Sequence, residues 1–487
     1  MKRNIVYSLI PAATALFLLA SCNREEMPGM EMPQQTDSPQ EIRFEMAYAT
    51  STIVPDNDAP GTRVSTSTDG AYTNTWEDGD EVGVYIVKGD ATLQASDNWV
   101  DNMKMTYRNG GWDYTLPTGK ERYPIGEPLN FYAYYPYSAT TAPTSQRMAL
   151  PTDQSGQTDF SVLTARTMRV HSRLEPVRLE FSSALAMIEL SLKSGGDGGK
   201  LSDRIVATAK GCKLNFILDL ETGKAETEGN TSSVILRRVE QPGDAGYRTS
   251  YTYRALVPAQ TLAAGSELFC FTYKNVSIDY KLIYSPAEAV KLEAGQVKPF
   301  EITLKPAIDP SHVYNVGDIY PHNGLPMGVV YEVDPNGLHG KIVYHESIDI
   351  AWGKADKIPK NEESGRANMR AVYEANSQSF DGYPAFQWAD NLNPAGTEYP
   401  DDAKGIWYLP AQRELRALCD RWDDLADSFK KLSLPDKNDN YFGSSTATGN
   451  NTYFTYGYRW NEVVGYGWKV VATSRDVSSY FFAIMEF

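Results

Sequence analysis

Alternation of apolar and polar residues with a period of two is the feature that most limits the folds open to this chain. Near the start of the sequence, apolar Ile42, Phe44, Met46 and Tyr48 alternate with charged or small residues. Such alternation places one face of an extended strand in a core and leaves the other face in solvent. The chain also contains 37 glycines and 28 prolines, which supply turns between strands. The pattern predicts a mainly β protein.

The length of the chain predicts several domains. A chain of 487 residues is too long for one hydrophobic core, and we expect three domains of ordinary size. Further alternating strands contain Val82, Val84 and Ile86 and, later, residues 129–135. Only four cysteines are present, so no disulfide framework holds the fold together, although Cys212 and Cys270 can form one bridge.

The first 21 residues have the features of a lipoprotein signal peptide. Two basic residues precede an apolar run that is too short to span a bilayer. The run ends in a small-residue turn followed by Cys22, which is what lipoprotein processing enzymes recognise. We expect acylation of Cys22 and anchoring to the outer membrane through the lipid. Residues 22–40 lack periodicity and are predicted to be a flexible tether.

Charge and motif content exclude several classes of function. The formal net charge is −16, and no cluster of lysine and arginine occurs, which argues against nucleic acid as a partner. No nucleophile elbow, phosphate-binding loop or zinc-protease motif is present, so we predict no catalytic residues, no cofactor and no enzymatic activity. The protein is expected to be acidic and extracellular.

Two groups of residues are candidates for metal ligands. Asp436, Asn438 and Asn440 match the start of a calcium loop, but Tyr441 stands where that loop needs glycine. Four histidines between residues 312 and 345 lack the spacing of zinc ligands. We therefore predict no metal site.

A series of short motifs between residues 41 and 307 resembles the fimbrillin-like proteins with which Bacteroidetes build pili. The motifs follow one another in a fixed order: Thr62-Arg63, WEDGDEVGVY at 76–85, Tyr123-Pro124, LNFYAYYPY at 129–137, VRLEFSSALAMIELSL at 177–192, ALVPAQ at 255–260 and LEAGQ at 292–296. The resemblance implies two tandem β-sandwich domains of transthyretin or immunoglobulin type, over residues 41–168 and 174–307.

The resemblance also implies assembly by donor-strand exchange. A trypsin-like, Arg-specific protease cuts between Arg63 and Val64 and frees the first strand, which carries Ile42, Phe44, Met46 and Tyr48. A donor strand from a neighbouring pilus subunit then fills the open groove. The residues alone leave a simpler alternative, in which this segment is an ordinary edge strand and Arg63 an ordinary solvated arginine.

The last third of the chain differs in composition and predicts an α+β domain over residues 312–487. Six of the nine tryptophans lie after residue 312. Short strands are predicted near residues 317–320, 328–331 and 340–343, followed by a helix over 367–375. A second helix is predicted after Pro410, with an apolar face formed by Leu415, Leu418, Cys419 and Trp422. Cys419 is thus predicted to be a core residue.

The order of motifs in this part resembles C-type-lectin-like domains at the C-termini of Bacteroidetes surface proteins. WYLPAQRELRAL at 407–418 precedes YFGSSTATGN at 441–450 and a closing strand at 481–487. In pili, such a domain is attached to the tip subunit. Because the closing strand is expected to be part of a compact domain, it would not be available to a neighbour, which fits a tip subunit.

Aromatic residues provide candidates for ligand binding. The long loop region of lectin-like domains corresponds here to residues 438–469. Its candidate contacts are Tyr453, Tyr456, Tyr458, Trp460, Tyr466 and Trp468. Rigid rings on a loop can stack on a glycan or anchor a protein partner. In the alternative, half or more of them fill the small core.

These observations predict a pilus tip adhesin. The expected precursor is an outer-membrane lipoprotein at the cell surface, which matures by cleavage after Arg63 and binds a surface glycan or protein ligand. The alternative is a lipid-anchored glycan-binding protein that does not polymerise and keeps both Cys22 and its first strand.

Overall fold

The computed structural model describes most of the chain after residue 38. The described residues are 39–48, 65–66, 72–73, 76–140, 142–156, 161–195, 201–239, 249–274, 281–304, 308–321, 325–354, 359–394, 396–438, 440–449, 451–461 and 465–487. Cys22, Arg63 and Val64 lie outside the described residues. Within the described part of the chain, no helix combines the length and apolar character needed to cross a membrane.

A seven-stranded sheet forms the first part of the fold. The strands up to residue 183 are β1 (Phe44–Tyr48), β2 (Ser65–Thr66), β3 (Tyr72–Thr73), β4 (Glu81–Lys88), β5 (Val100–Arg108), β6 (Gly111–Asp113), β7 (Leu129–Tyr135), β8 (Gln146–Ala149), β9 (Leu163–Val170) and β10 (Val177–Ser183). The sheet has the order β1-β10-β9-β7-β4-β5-β6, and β2 pairs only with β3. The strand predicted from the alternation at Phe44–Tyr48 is confirmed.

The centre of this sheet is buried on both faces. In β4, Val82, Val84 and Ile86 belong to one core cluster, whereas Tyr85 and Val87 belong to a second cluster on the opposite face. The expectation of a strand with one solvated face is therefore wrong for β4. The second sheet system covers the face that the alternation predicted to be in solvent.

The second part of the fold contains two larger sheets around one buried cluster, and a separate two-stranded sheet formed by residues 260–262 and 290–292. Its strands are β11 (Leu185–Ser194), β12 (Ile205–Asp219), β13 (Lys224–Ile235), β14 (Arg237–Arg238), β15 (Ser250–Pro258), β16 (Gln260–Leu262), β17 (Phe269–Tyr273), β18 (Leu282–Tyr284), β19 (Val290–Leu292) and β20 (Val297–Leu304). One sheet has the order β14-β15-β11-β20, and the other has the order β13-β12-β17-β18 with β8 also paired to β12. Ile188, Phe216 and Phe269 share the buried cluster between them.

The passage from the first sheet to the second lies later than the sequence indicated. The boundary expected between residues 168 and 174 lies where the chain passes from β9 to β10, which are neighbours in the same sheet. Val177, Leu179 and Phe181 of β10 are fully buried in the first core. The chain changes sheets at Ala184, directly before β11, because β10 is the strand that supports β1.

The last part of the fold is an α+β unit around a second seven-stranded sheet. Its elements are β21 (Ile319–Tyr320), β22 (Gly328–Val333), β23 (Gly340–Ala351), α1 (Gly365–Ala375), α2 (Pro384–Asp390), α3 (Gln412–Asp420), α4 (Trp422–Lys431), β24 (Tyr441–Ala447), β25 (Thr452–Asn461), β26 (Gly465–Ser474) and β27 (Ser478–Glu486). The sheet order is β21-β22-β23-β27-β24-β25-β26, so β27 lies between two neighbours. The helix predicted over 367–375 is confirmed. Trp422 begins α4 rather than extending α3, because Arg421 is not helical.

A buried polar contact joins the second part of the fold to the last. The Arg204 guanidinium donates to the carbonyl oxygens of His345 at 3.3 Å and Leu432 at 3.2 Å, and its Nε lies 3.8 Å from the Glu346 carboxylate. The rings of Tyr273 and His345 stack with their centroids 4.4 Å apart. Burial holds the pKa of His345 well below its usual range. The imidazole in this contact is therefore neutral.

The three described cysteines are free. The register of the sheet pairs Cys270 with Thr208, four residues before Cys212 along β12. Four residues of strand span roughly 13 Å, well beyond the Cα separation that a disulfide allows. The possible bridge between Cys212 and Cys270 is thus not formed. Cys419 is buried on the apolar face of α3, as predicted.

Burial makes two of these thiols poor nucleophiles. It raises the pKa of Cys212 to about 12 and the pKa of Cys419 well above its usual value. Because the thiolate is the reactive form, we expect neither residue to be alkylated by iodoacetamide in the folded protein at pH 8. Mass spectrometry should find both modified after unfolding in urea. Rapid alkylation of the folded chain at Cys212 would contradict the burial described here.

Candidate functional site

The N-terminal strand β1 occupies the edge of the first sheet. Its five residues pair in parallel with β10, from Phe44 opposite Val177 to Tyr48 opposite Phe181. In the described sheet β1 has this neighbour alone. In the part of the chain that the structure describes, one strand ladder therefore holds β1 along its length.

Aromatic side chains form the floor under β1. The Phe44 ring packs edge-on against Tyr114 and Phe131, with centroids 5.1 and 5.8 Å apart. The Tyr48 ring stacks on Trp76 at 4.9 Å. Burial raises the pKa of Tyr114 above its usual value, because the phenol lies in this apolar surface. These contacts account for the apolar residues at alternate positions of β1.

The segment just before β1 is held separately. The Ile42 amide donates to the Glu121 carbonyl at 2.9 Å, and the Tyr123 amide donates to the Gln40 carbonyl at 3.0 Å. Ile42 itself is 3% exposed. The predicted first-strand residues thus lie together in one groove, with Ile42 preceding the five paired residues of β1.

Removal of β1 would leave a groove suited to another strand. The amide of Val177, which now donates to the Arg43 carbonyl, would lose its partner. The aromatic floor would be exposed to water at the same time. A sheet edge with unpaired backbone groups and an apolar floor binds an incoming strand through main-chain hydrogen bonds and alternate side-chain pockets.

The motif Ser444-Ser445-Thr446 of β24 is a buried hydrogen-bonding centre. The Asn368 carboxamide, on α1, donates to the Ser445 hydroxyl at 2.9 Å and to the Asn361 carbonyl at 2.7 Å. The Thr446 hydroxyl accepts from the Gln412 amide at 3.0 Å and donates to the Asn361 carbonyl at 2.8 Å. The motif therefore ties β24 to the starts of both α1 and α3.

Glu414 joins the same two helices. Its Oε2 accepts from the amides of Ala411 and Gly365, each at 2.9 Å, and its Oε1 accepts from the Tyr408 hydroxyl at 3.0 Å. A Cβ atom on Gly365 would lie 1.9 Å from the Leu409 carbonyl oxygen, so only glycine fits there. The WYLP segment and the SST motif are thus explained as a helix-anchoring framework and not as a ligand site.

Replacing Thr446 with valine is expected to destabilise this framework. Valine keeps the shape of threonine but leaves the Gln412 amide without its side-chain acceptor, at a cost of about 2 kcal/mol. The free energy of unfolding in urea measures this change. As a control, Thr397→Val removes one hydroxyl contact from a half-buried loop position and should cost less than about 1 kcal/mol. Equal effects for the two variants would contradict the anchoring role of Thr446.

The region expected to be a long binding loop is a β-hairpin. Residues 438–469 contain β24, β25 and the first half of β26, and β25 pairs with β26 from Thr452 opposite Ser474 to Asn461 opposite Gly465. The loop prediction is therefore wrong. Aromatic residues alternating with glycine and threonine form strands here, and Tyr453, Thr455 and Tyr456 of β25 are buried.

Two of the six candidate ligand contacts are core residues. Tyr453 is 0% exposed, and its hydroxyl donates to the Ser479 hydroxyl at 2.8 Å. Tyr456 is 3% exposed. Trp468 is half-buried, and its ring lies 5.3 Å from that of Trp422. Tyr453 and Tyr456 are therefore corrected from ligand contacts to core packing.

The remaining three candidates, Tyr458, Trp460 and Tyr466, have side chains outside the described residues. The backbone register pairs Tyr458 with Trp468 and Trp460 with Tyr466. These pairs place the remaining candidates at the end of the hairpin that lies nearest to its turn.

Asp436 and His345, each from one of the two groups of candidate metal ligands, have structural roles. Asp436 Oδ1 accepts from the backbone and side-chain nitrogens of Asn438, which makes it a turn residue. His345 is buried in the contact with Arg204, and His322 lies outside the described residues. Among the residues that the structure describes, no group of three or more histidine, cysteine or acidic side chains could hold a metal ion.

Sequence reasoning missed Asn368 and Glu414. Both are polar residues on helices, and the residues beside them in the sequence indicated only that each helix has an apolar face. The available signal was a short-range one: Asn368 lies between Ala367 and Met369 on the buried side of a helix, where asparagine is unfavourable unless it is hydrogen-bonded.

Comparison with known proteins gives consistent matches to one family. The sequence model of the family described as fimbrillin-like matches residues 62–318. The chain is 30% identical over 203 residues to the "Putative fimbrium subunit Fim1C" of Bacteroides uniformis, a match that covers 41% of this chain and 59% of that protein. It is 28% identical over 176 residues to the "Putative fimbrium tip subunit Fim1C" of Bacteroides ovatus, which covers 33% of this chain and 29% of that protein. The chain thus spans less than two thirds of either relative.

Solved structures also align with this chain. A fimbrial protein from Bacteroides ovatus aligns at 17% identity with a TM-score of 0.30, covering 92% of this chain and 100% of that one. The tip fimbrial protein Mfa3 from Porphyromonas gingivalis aligns at 8% identity with a TM-score of 0.29, covering 48% of this chain and 92% of that one.

Proposed function

The chain belongs to the fimbrillin-like family of Bacteroidetes, and from this membership we propose that it is a pilus tip adhesin assembled by donor-strand exchange. In this proposal the precursor is an outer-membrane lipoprotein acylated at Cys22. A trypsin-like protease cuts it after Arg63, and the mature protein begins at Val64. Its partners are a neighbouring pilus subunit, which donates a strand, and a surface glycan or protein bound by the C-terminal part of the chain.

The observation that carries the proposal is the position of β1. This strand lies at a sheet edge and covers an aromatic floor formed by Tyr114, Phe131 and Trp76. A strand that is paired along one edge can leave without breaking the rest of the sheet. A donor strand with apolar residues at alternate positions would restore the same ladder and the same contacts.

One cut would have two consequences. Cys22 and β1 both precede Arg63 in the sequence, so cleavage there separates the body of the protein from its lipid and from its own edge strand. Release from the membrane and opening of the groove are thereby coupled. This coupling would keep the groove closed until the subunit is at the cell surface.

The central position of β27 supports placement at the tip. This strand pairs with β23 on one side and with β24 on the other. It could not be given to a neighbouring subunit without opening the C-terminal sheet. A relative from Bacteroides ovatus carries the name of a tip subunit.

The proposal is tested by N-terminal sequencing and intact mass of the protein from two sources, sheared surface filaments and membranes. An N-terminus at Val64 in filaments, lost in an Arg63→Ala variant, is the expected result. Arg43→Ala is the matched control, because it removes an arginine from the segment before β1 without touching the cut. Recovery of the acylated Cys22 form alone, on membranes, would overturn the proposal and favour the lipid-anchored glycan-binding protein.

A further inference from the structure

A polar cleft of about 300 Å³ opens beside the first two helices of the C-terminal part. Its walls are the end of α1, the connection to α2, α2 itself, and the segment after α2 as far as Thr397. The side chains used in the argument below are Tyr373, Gln378, Asp381, Gln387, Asp390 and Asn391. The volume is at the lower end of the range for small-molecule sites, which matches one or two sugar rings better than a folded partner.

The chemistry of the walls favours a neutral ligand that is rich in hydroxyl groups. Carboxamides donate to hydroxyls and accept from them, and carboxylates accept from them; these two kinds of group make up half of the lining residues. Tyr373 adds a half-buried aromatic ring at one side, 5.4 Å from the ring of Phe380. None of the described lining residues is a lysine, arginine or histidine. An anionic ligand would therefore lack a counter-charge and would face two aspartates.

The hydrogen-bonding groups are held in place before any ligand arrives. The Tyr399 hydroxyl donates to Asp390 Oδ1 at 2.6 Å. Burial, with the Asp390 charge beside it, raises the pKa of Tyr399, so the phenol remains a donor throughout the physiological range. Fixed orientation of a binding carboxylate lowers the entropy lost on binding.

The connection between α1 and α2 carries backbone strain at the same place. Ser377 and Gln378 have φ angles of 58° and 60°, a left-handed conformation that is unfavourable for residues other than glycine. The Asn376 carboxamide holds this turn by donating to the carbonyls of Ser379 at 2.9 Å and Asp381 at 3.1 Å. Two consecutive strained residues at the rim of a cleft are typical of a segment shaped to meet a ligand.

We propose that this cleft binds a neutral sugar residue of a surface glycan. Tyr373 provides a face for stacking, and Gln387, Asp390 and Asn391 provide hydrogen bonds to the sugar hydroxyls. This inference rests on the adhesin function proposed above and gives it a site and a ligand class. It moves the binding surface from the β25–β26 hairpin to the cleft beside α1 and α2.

The test uses the full chain on an array of immobilised neutral, sialylated and sulfated oligosaccharides, followed by competition with the free oligosaccharide that binds. Neutral glycans should bind. Gln387→Ala, at an exposed position on α2, and Asp390→Asn should each weaken that binding about tenfold, which corresponds to one lost hydrogen bond to a charged or polar partner. Glu374→Ala, at an exposed position on α1 outside the cleft, is the matched control and should bind as the parent does.

Several outcomes would overturn the inference. Neutral-glycan binding that both cleft variants retain would assign the ligand to another surface, and binding of charged glycans only would refute the ligand class. Absence of binding to every glycan would refute the proposed role of the cleft. The proposed place in the pilus would still stand if the chain were found in filaments with Val64 at its N-terminus. Loss of that processed form from filaments would refute the pilus function instead, whatever the array shows.

Discussion

Replacing Trp352 with alanine is expected to lower the free energy of unfolding of the C-terminal part by about 4 kcal/mol. Trp352 is fully buried and packs against Phe386 and Tyr453, with ring centroids 4.8 and 5.9 Å away. Its indole Nε1 donates to the Ser444 carbonyl at 2.9 Å. Truncation therefore creates a large cavity and removes a hydrogen bond from the strand that carries the SST motif.

A buried charge makes this site more sensitive than packing alone. The Arg475 guanidinium lies 4.2 Å from the centre of the Trp352 ring, and Arg475 is 3% exposed. It also donates to the Lys354 carbonyl at 2.6 Å and the Gly449 carbonyl at 3.2 Å. Without the indole, the cation keeps these two carbonyls but loses its aromatic face in a region that excludes water.

Urea unfolding, followed by far-ultraviolet circular dichroism, measures the change in the free energy of unfolding. Trp352→Phe is the control, because phenylalanine retains an aromatic ring next to Arg475 and loses mainly the hydrogen bond to Ser444. We expect about half the destabilisation of the alanine variant. A loss below about 1 kcal/mol for Trp352→Ala would show that the sheet and α2 do not depend on this residue.

The sequence predicted the strands and helices well where local periodicity and tertiary burial agree. Ile42 to Tyr48 alternate because one side of β1 faces the aromatic floor, and Leu415, Leu418 and Cys419 lie at helical spacing because α3 buries one face. The alternation in β4 correctly predicted a strand but wrongly predicted that one of its faces is in solvent. Burial of its second face is decided by a sheet more than 100 residues later in the chain, which no local pattern records.

The errors in the candidate site have a physical cause as well. A segment rich in tyrosine, tryptophan, glycine and asparagine is compatible both with an exposed binding loop and with a two-sided hairpin. Tyr453 shows the second outcome, with its ring between Trp352 and Phe481 and its hydroxyl bonded to Ser479. The polar cleft beside α2 combines residues from a helix and a strained turn, and its shape is set by φ angles that the residue types Ser377 and Gln378 do not predict.

Weakening the apolar side of β1 should loosen its hold on the sheet without changing its backbone pairing. In a Phe44→Ala, Met46→Ala variant, the strand loses its contacts with Tyr114 and Phe131 and its packing against the first core. Both side chains are half-buried, so we expect the free energy that keeps β1 in place to fall by about 3 kcal/mol.

Hydrogen exchange of the β10 amides that face β1, such as that of Val177, measures this loss directly, because their acceptors lie on the N-terminal strand and not on β9. Exchange in the variant should be about 100-fold faster than in the parent chain. Glu45→Ala is the matched control: Glu45 is exposed on the same strand, its carboxylate lies 4.0 Å from the Arg178 guanidinium, and loss of such a surface pair costs about 0.5 kcal/mol or less. If both variants exchange at the parental rate, the aromatic floor does not hold β1 in place. A donor strand would then have no apolar groove to fill. Fast exchange in the double variant, with parental exchange in Glu45→Ala, would show that the apolar contacts hold β1 in place. A donor strand from a neighbouring subunit must then replace those contacts.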